Sequence, residues 1–174
     1  MGPLQHHFRQ FVLYNRWANL QLYRALEGCS KEDLNENRGA YFHSILGTLN
    51  HLLVTDRMWR ARLQGTSPAG VKLDAILFDE LDPLAQARRA EDRALIDVVT
   101  GFSEPEMTEP RSYLTSSGAP HTQTLRDLLA HIFNHQTHHR GQAHDLIGQA
   151  LGTGRTPVLD LVHYQRTAGA GDAP

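Results

Sequence analysis

The amino-acid sequence predicts an all-α protein built as a four-helix bundle with long crossover connections. Apolar residues recur at helical spacing in four long stretches, and no stretch has a strong strand pattern. The chain of 174 residues suits a single domain, which we place at residues 1–166, followed by a tail at residues 167–174 that we expect to be disordered. Two connections, near residues 65–82 and 102–122, are longer than ordinary helix–helix loops and can cross over an end of the bundle.

The four helices follow from apolar spacing and from the residues at their ends. In chain order they span about Pro3–Leu26, Phe42–Leu63, Pro83–Thr100 and Thr124–Leu151. Asp82 is a candidate cap for the third helix, while Gly28 and Gly101 are placed to end the first and the third. Thr124 and Asp127 have the spacing of a capping box, which marks the start of the fourth helix.

Shorter elements complete the predicted fold. The segments "RSYLTS" and "APHTQT", on either side of Ser117–Gly118, predict a small hairpin before the fourth helix. The polar, turn-rich segment "CSKEDLNENRGA" predicts a loop after the first helix. A short C-terminal helix is expected to begin near Pro157 and to carry "VLDLVHYQ".

Composition excludes several classes of protein. The net charge is −2, from 17 basic and 19 acidic residues, and no basic run stands out, so we expect no binding to nucleic acid. No apolar run approaches the roughly 20 residues that span a bilayer. The N-terminus also lacks the form of a signal peptide, so we expect no membrane association and place the protein in the cytoplasm. The single cysteine, Cys29, excludes an internal disulfide and any zinc site built from several cysteines.

The segment "HIFNHQTHHRGQAH" contains five of the eleven histidines of the chain. On a helical wheel, His135 and His139 lie closest to the apolar stripe of the fourth helix, while His131 and His138 point further towards solvent. His135 and His139 are four residues apart and share one face, so two imidazoles can converge on one metal ion. The alternative is a pair of partly buried histidines that bond to their neighbours without a metal.

A catalytic metal site typically has three protein ligands, so a third must come from elsewhere. His51, in the apolar segment "GTLNHLLVTDRMW" of the second helix, is the candidate, and His43 at the start of that helix is its rival. His51 can serve only if the second helix packs beside the fourth. Asn15, Asn19 and Asp56 also stand out on mostly apolar helices, where they either orient the ligands or face solvent.

The piece "HQTHH" resembles the HExxH motif of zinc proteases, with Gln136 at the position of the glutamate. That glutamate is the general base in the protease, and a glutamine cannot accept a proton at neutral pH. The sequence therefore argues against a zinc protease.

Three segments in register, "YNRWAN", "TLNHLLVTDRMW" and "NHQTHHRGQ", together resemble the DinB/YfiT-like superfamily. The resemblance extends from the first helix to about residue 165. It implies a bundle in up-down-down-up order and a divalent metal ion held by His51, His135 and His139. Zinc or nickel is the expected metal, with iron and manganese as further candidates.

The resemblance also implies a function. Characterised members include transferases and isomerases that use a low-molecular-weight thiol such as bacillithiol or mycothiol. Metal-dependent transfer of a thiol to a small electrophilic substrate is therefore the leading hypothesis, with no catalytic side chain or general base assigned. Metal-dependent hydrolysis and a non-enzymatic, stress-associated metal-binding or interaction protein stay open. The family further implies a homodimer, with which the nearly all-round apolar character of the second helix is compatible.

Overall fold

The computed structural model describes residues 1–66, 68 and 70–167 and confirms a four-helix bundle. The helices are α1 (Pro3–Ala25), α2 (Lys31–Asn35), α3 (Ile45–Leu63), α4 (Leu81–Gly101), α5 (Leu125–Leu151) and α6 (Leu161–Thr167). The predicted hairpin is present as the antiparallel strands β1 (Pro110–Leu114) and β2 (Pro120–Thr124). Short 3-10 helices lie at Pro105–Thr108 and Thr153–Arg155. None of the helices in the described part of the chain has the length and apolar character needed to cross a membrane.

The long helices α1, α3, α4 and α5 form the bundle in up-down-down-up order. Side-chain contacts make α1 antiparallel to α4 but parallel to α5, and they make α3 parallel to α4 but antiparallel to α5. Between α1 and α4 the contacts are Gln5–Phe102 and Asn19–Asp92, and between α1 and α5 they are Phe8–Phe133 and Asn15–Arg140. Between α3 and α4 they are Asp56–Arg88 and Arg60–Glu91, and between α3 and α5 they are His51–His139 and Trp59–His131. Because α3 and α4 are parallel, the chain between them must return along the whole bundle.

The start of α3 differs from the prediction. The side chain of Ser44 accepts a hydrogen bond of 3.0 Å from the backbone N–H of Gly47, so α3 begins after Ser44 and not at Phe42. His43, just before this cap, has a positive φ of 66° and cannot belong to a helix. A Cβ at Gly47 would overlap the carbonyl oxygen of Phe42, so this glycine permits a tight turn.

Other predicted boundaries were partly right. Thr124 caps α5 by accepting a hydrogen bond of 3.4 Å from the backbone N–H of Asp127, as expected. Glu80, not Asp82, occupies the cap position of α4, which leaves Asp82 in the first helical turn. The segment predicted as a loop contains α2, and the C-terminal helix begins at Leu161 instead of near Pro157. In the predicted tail, residue 167 ends α6, and residues 168–174 lie outside the described residues.

A layer of buried polar side chains crosses the middle of the bundle between two apolar clusters. Arg88 forms ion pairs with Asp56 at 2.8 Å and with Asp92 at 2.9 Å, and its side chain is only 2% exposed. Asn19 donates a hydrogen bond of 3.0 Å to Asp92, and Gln136 donates to Asp56. Asn19 and Asp56 are therefore buried, and the alternative that they face solvent is wrong.

Removing Arg88 would test this layer. Arg88→Ala leaves two carboxylates buried without their positive partner, so we expect the free energy of unfolding to fall by about 3–5 kcal/mol. The neighbouring Arg89 is exposed, and Arg89→Ala should change the same quantity by only about 0.5 kcal/mol or less. Chemical denaturation of the two variants measures both values. Equal losses for the two would contradict a structural role of the buried layer.

Candidate metal centre

The structure brings together the three histidines that the sequence singled out. His51 of α3 faces His135 and His139 of α5, and its Nε2 atom lies 3.4 Å and 3.2 Å from their Nε2 atoms. The three ligand atoms all lie within 4.8 Å of one another, so the cluster can hold a metal ion. Two nitrogens bound tetrahedrally at typical zinc distances are about 3.3 Å apart, which fits the spacing around His51.

The connection between α3 and α4 orients His51. The Nδ1 atom of His51 lies 2.7 Å from the carbonyl oxygen of Leu73, which makes Nδ1 the protonated nitrogen and leaves the Nε2 lone pair facing the cluster. The adjacent Asn50 fixes the same connection, because its side-chain oxygen accepts hydrogen bonds from the backbone N–H groups of Leu77 and Phe78 at 2.8 and 3.0 Å. The ring of Phe42 stacks on His51 with centroids 3.8 Å apart and closes one side of the site.

His139 is oriented in the same way by its own helix. The Nδ1 atom of His139 lies 2.7 Å from the side-chain oxygen of Gln142, one turn further along α5. A hydrogen bond donated by Nδ1 again leaves Nε2 free to bind a metal. Two of the three imidazoles are thus held in the tautomer that a metal ligand needs.

The electrostatic surroundings keep these imidazoles neutral. Burial lowers the pKa of His51 to about 4 and that of His135 to about 3, and the neighbouring imidazoles add to both effects. Burial also lowers the pKa of His139. Neutral imidazole is the form that binds metal, so near neutral pH the cluster needs to lose no proton before binding.

The other histidines considered from the sequence are not among the three clustered ligand candidates, although the rings of His131 and His138 contact those of His135 and His139. His43, the rival third ligand, is exposed at the turn before α3. His138 is exposed, and His131 packs on the ring of Trp59 with centroids 4.9 Å apart. His144 lies 3.1 Å from the carbonyl of Pro157 and so ties α5 to the C-terminal segment.

Gln136 points away from the cluster. Its side chain is fully buried and donates hydrogen bonds to the carboxylate of Asp56 and, at 3.4 Å, to the carbonyl of Leu52. The position that holds the base in the protease motif is therefore part of the buried polar layer. This geometry agrees with the argument against a zinc protease.

A pocket of about 260 Å³ opens beside His135, between α3, α5 and the hairpin. Its other lining residues are Thr55, Met58, Trp59, Arg62, Leu73, Tyr113, Thr115, Ser116 and His131. None of the described residues in this lining is an aspartate or a glutamate. The cluster thus has a closed side at Phe42 and an open side at His135.

Sequence reasoning missed the groups that orient the ligands and shape the pocket. Gln142 follows His139 by three residues, a spacing that places both on one helix face and could have indicated the contact. Leu73 acts through its backbone carbonyl, which leaves no trace in residue type. The role of the hairpin as a pocket wall depends on how it folds back beside α3.

Together, the fold and the cluster define a class of protein, a four-helix bundle in which two long helices bring three histidines to one point. A model of the DinB family matches residues 4–170 of the chain. The chain therefore belongs to the DinB family, which confirms the resemblance found in the sequence.

Individual relatives agree with this assignment. Protein DinB of Bacillus subtilis (strain 168) is 27% identical over 147 residues, which cover 79% of this chain and 82% of that protein. The uncharacterized protein YizA of the same strain is 28% identical over 134 residues, which cover 76% of this chain and 81% of that protein. The crystal structure of a DinB-like protein from Bacillus cereus ATCC 10987 matches with a TM-score of 0.60 and 18% identity, covering 80% of this chain and 90% of that one. At this identity the match shows a shared fold.

The role of Gln142 can be tested through the affinity of the cluster for zinc. Gln142→Ala removes the acceptor that orients His139, so we expect zinc affinity to fall roughly 10–100-fold. Competition with a chelating dye measures this affinity. Gln149→Ala is the matched control, because Gln149 is an exposed glutamine of the same helix whose side chain donates a hydrogen bond to exposed Asp145. Unchanged affinity in Gln142→Ala would show that this contact does not orient the ligand.

Proposed function

We propose that this protein is a metal-dependent enzyme that transfers a low-molecular-weight thiol to a small electrophile. His51, His135 and His139 would hold a divalent metal ion, with zinc or nickel as the best candidates for three imidazole ligands. The observation that carries the proposal is that this three-histidine cluster opens on one side into a pocket lined by His135. A closed cluster would instead favour a purely structural metal.

The chemistry needs little from the protein beyond binding and orientation. A divalent ion at such a site lowers the pKa of a thiol and so supplies a nucleophile near neutral pH. In the transfer, a bond forms between sulfur and carbon, the leaving group departs with the bonding electron pair, and the thiol proton passes to solvent. The one cysteine, Cys29, follows the C-terminal end of α1, where it packs against an apolar cluster, and it takes no part in this scheme.

The pocket favours a thiol over water as the nucleophile. Hydrolysis commonly uses a carboxylate as general base, and the pocket lining contains none. His131 is a weak base there, because burial and the nearby charge of Arg62 lower its pKa. A thiol whose pKa is lowered by the metal would need no such base. Hydrolysis is therefore the second choice, and the open side of the cluster argues against a metal-binding protein without activity.

Elemental analysis tests the metal site. The purified protein should contain about one divalent ion per chain, and His135→Ala should lose it because two imidazoles bind far more weakly than three. His6→Ala is the control, since His6 is an exposed histidine outside the cluster and the pocket lining. Full metal retention in His135→Ala would refute the ligand assignment.

The reaction itself can be tested with 1-chloro-2,4-dinitrobenzene and a panel of small thiols. The metal-loaded protein should form the thioether and chloride, whereas a hydrolase would form dinitrophenol from the same electrophile. His135→Ala and the chelator-treated protein should fall to the uncatalysed rate, and added zinc or nickel should restore only the wild type. Dinitrophenol as the main product would favour hydrolysis, and no turnover with any thiol would favour the non-enzymatic function.

The homodimer and the cytoplasmic location stay predictions from the sequence. The burial of α3 on nearly all sides arises within one chain, because the other helices and the connection to α4 cover it. Its apolar character therefore gives the homodimer no support.

A further inference from the structure

We infer that Arg62 binds a carboxylate of the thiol, so that the substrate thiol carries its sulfur at one end of the pocket and a negative charge at the other. This inference rests on the proposed function, because it assigns the sulfur end to the three-histidine cluster. It adds a binding residue and a chemical class of substrate, a small carboxylate-bearing thiol.

Arg62 is a buried charge without a counter-charge. Its side chain lines the pocket beside His135, and the residue is only 5% exposed. Its guanidinium lies over the rings of Trp59 and Tyr113, at 4.5 and 5.1 Å from their centroids. Its Nε atom has no hydrogen-bond partner, and no carboxylate in the described ranges forms an ion pair with it.

Other buried arginines in this chain have polar or charged partners. Arg88 lies between two carboxylates, and Arg140 donates hydrogen bonds to the side chains of Asn15 and Thr137. Burial lowers the pKa of Arg62, yet an arginine stays protonated in a protein. An unpaired buried charge is costly, so a ligand that supplies the negative charge explains the arrangement better than packing alone.

The position of Arg62 fits a ligand that reaches the metal centre. His51, Thr55 and Arg62 follow one another along α3, and the helical rise places Arg62 about 16 Å from His51 along the helix axis. His139, His135 and His131 run beside them on the antiparallel α5. The pocket therefore extends from the cluster towards Arg62, with Thr55 and Trp59 lining the path.

The chemistry of the pocket selects a single carboxylate. A guanidinium presents paired N–H groups that match the two oxygens of a carboxylate. Among the described residues that line this pocket, Arg62 is the only arginine or lysine, so at this end one negative charge is balanced and a second is not. The aromatic and aliphatic side chains of Trp59, Tyr113 and Met58 suit an uncharged chain between the two ends of the ligand.

The first experiment tests whether Arg62 binds a carboxylate, with ligands that contain no thiol. Binding of hexanoate and of its neutral analogue hexanamide to the metal-loaded protein is compared by calorimetry at constant ionic strength. We expect hexanoate to bind about tenfold more tightly, the usual effect of a hydrogen bond to a charged group. Arg62→Met should remove this difference. The control Arg57→Met should keep it, because Arg57 is a partly exposed arginine of the same helix that is not in the pocket lining.

This comparison separates binding from packing. A purely structural Arg62 would change stability without changing the preference for acid over amide. If Arg62→Met does not fold, Arg62→Lys keeps the charge but loses the planar guanidinium, and we expect it to keep part of the preference. Equal affinity of the wild type for acid and amide would overturn the inference. A preference that survives in Arg62→Met would overturn it as well, because the carboxylate would then bind elsewhere, for example to the metal.

The second experiment assigns the carboxylate to the thiol. Cobalt-substituted protein is titrated with ω-mercaptocarboxylates of increasing length and with the matching amides, and binding is followed by the sulfur-to-cobalt charge-transfer absorption. The advantage of acid over amide should be largest at one intermediate length and should vanish in Arg62→Met. The absence of this absorption with every thiol would contradict the proposed function, while the hexanoate result would still decide on Arg62. Absorption without any dependence on length would refute the assignment to the thiol.

Discussion

Arg88 carries a positive charge into the centre of the bundle, and the positions of the four long helices depend on how that charge is balanced. Its guanidinium meets Asp56 of α3 and Asp92 of α4, while Asn19 of α1 bonds to Asp92 and Gln136 of α5 bonds to Asp56. One network therefore contacts all four helices. Apolar contacts tolerate a shift between helices better than buried polar groups, each of which needs a particular partner. A shift of any helix by one turn would leave a buried charge or amide without its partner, so the layer sets their register.

That register brings the three histidines together. Gln136 lies between His135 and His139 in α5 and bonds to the carbonyl of Leu52, the residue after His51. The same two helical turns thus contribute the polar layer on one side and the histidine cluster on another. The parallel arrangement of α3 and α4 provides the group that orients His51, because it requires a long return connection. That connection passes the cluster, where the carbonyl of Leu73 orients His51.

The sequence predicted those features that repeat along a helix or mark its ends. Four helices, the hairpin, the cap at Thr124 and the pair His135 and His139 all follow from local spacing. The choice of His51 as third ligand required α3 to pack beside α5. Spacing alone cannot show this packing, and the family resemblance implied it. The helix α2 was missed because five residues are too few to show periodicity. The roles of Leu73 and Arg62 could not be predicted, since one acts through its backbone and the other is defined by the absence of a partner in the folded chain.

The positive charges expected in the pocket support the function proposed for it. Burial lowers the pKa of each of the three imidazoles and so favours their neutral form, in which a divalent ion held by them would keep its full positive charge. Arg62 adds a positive charge at the far end of the pocket, and no carboxylate in the lining offsets either. Positive charges in a partly apolar pocket attract anions, because its low-dielectric walls focus the electric field. Such a pocket disfavours cations and gives neutral ligands no electrostatic gain. A thiol that ionises at one end and carries a carboxylate at the other places a negative charge beside each of these positive groups, which water cannot do.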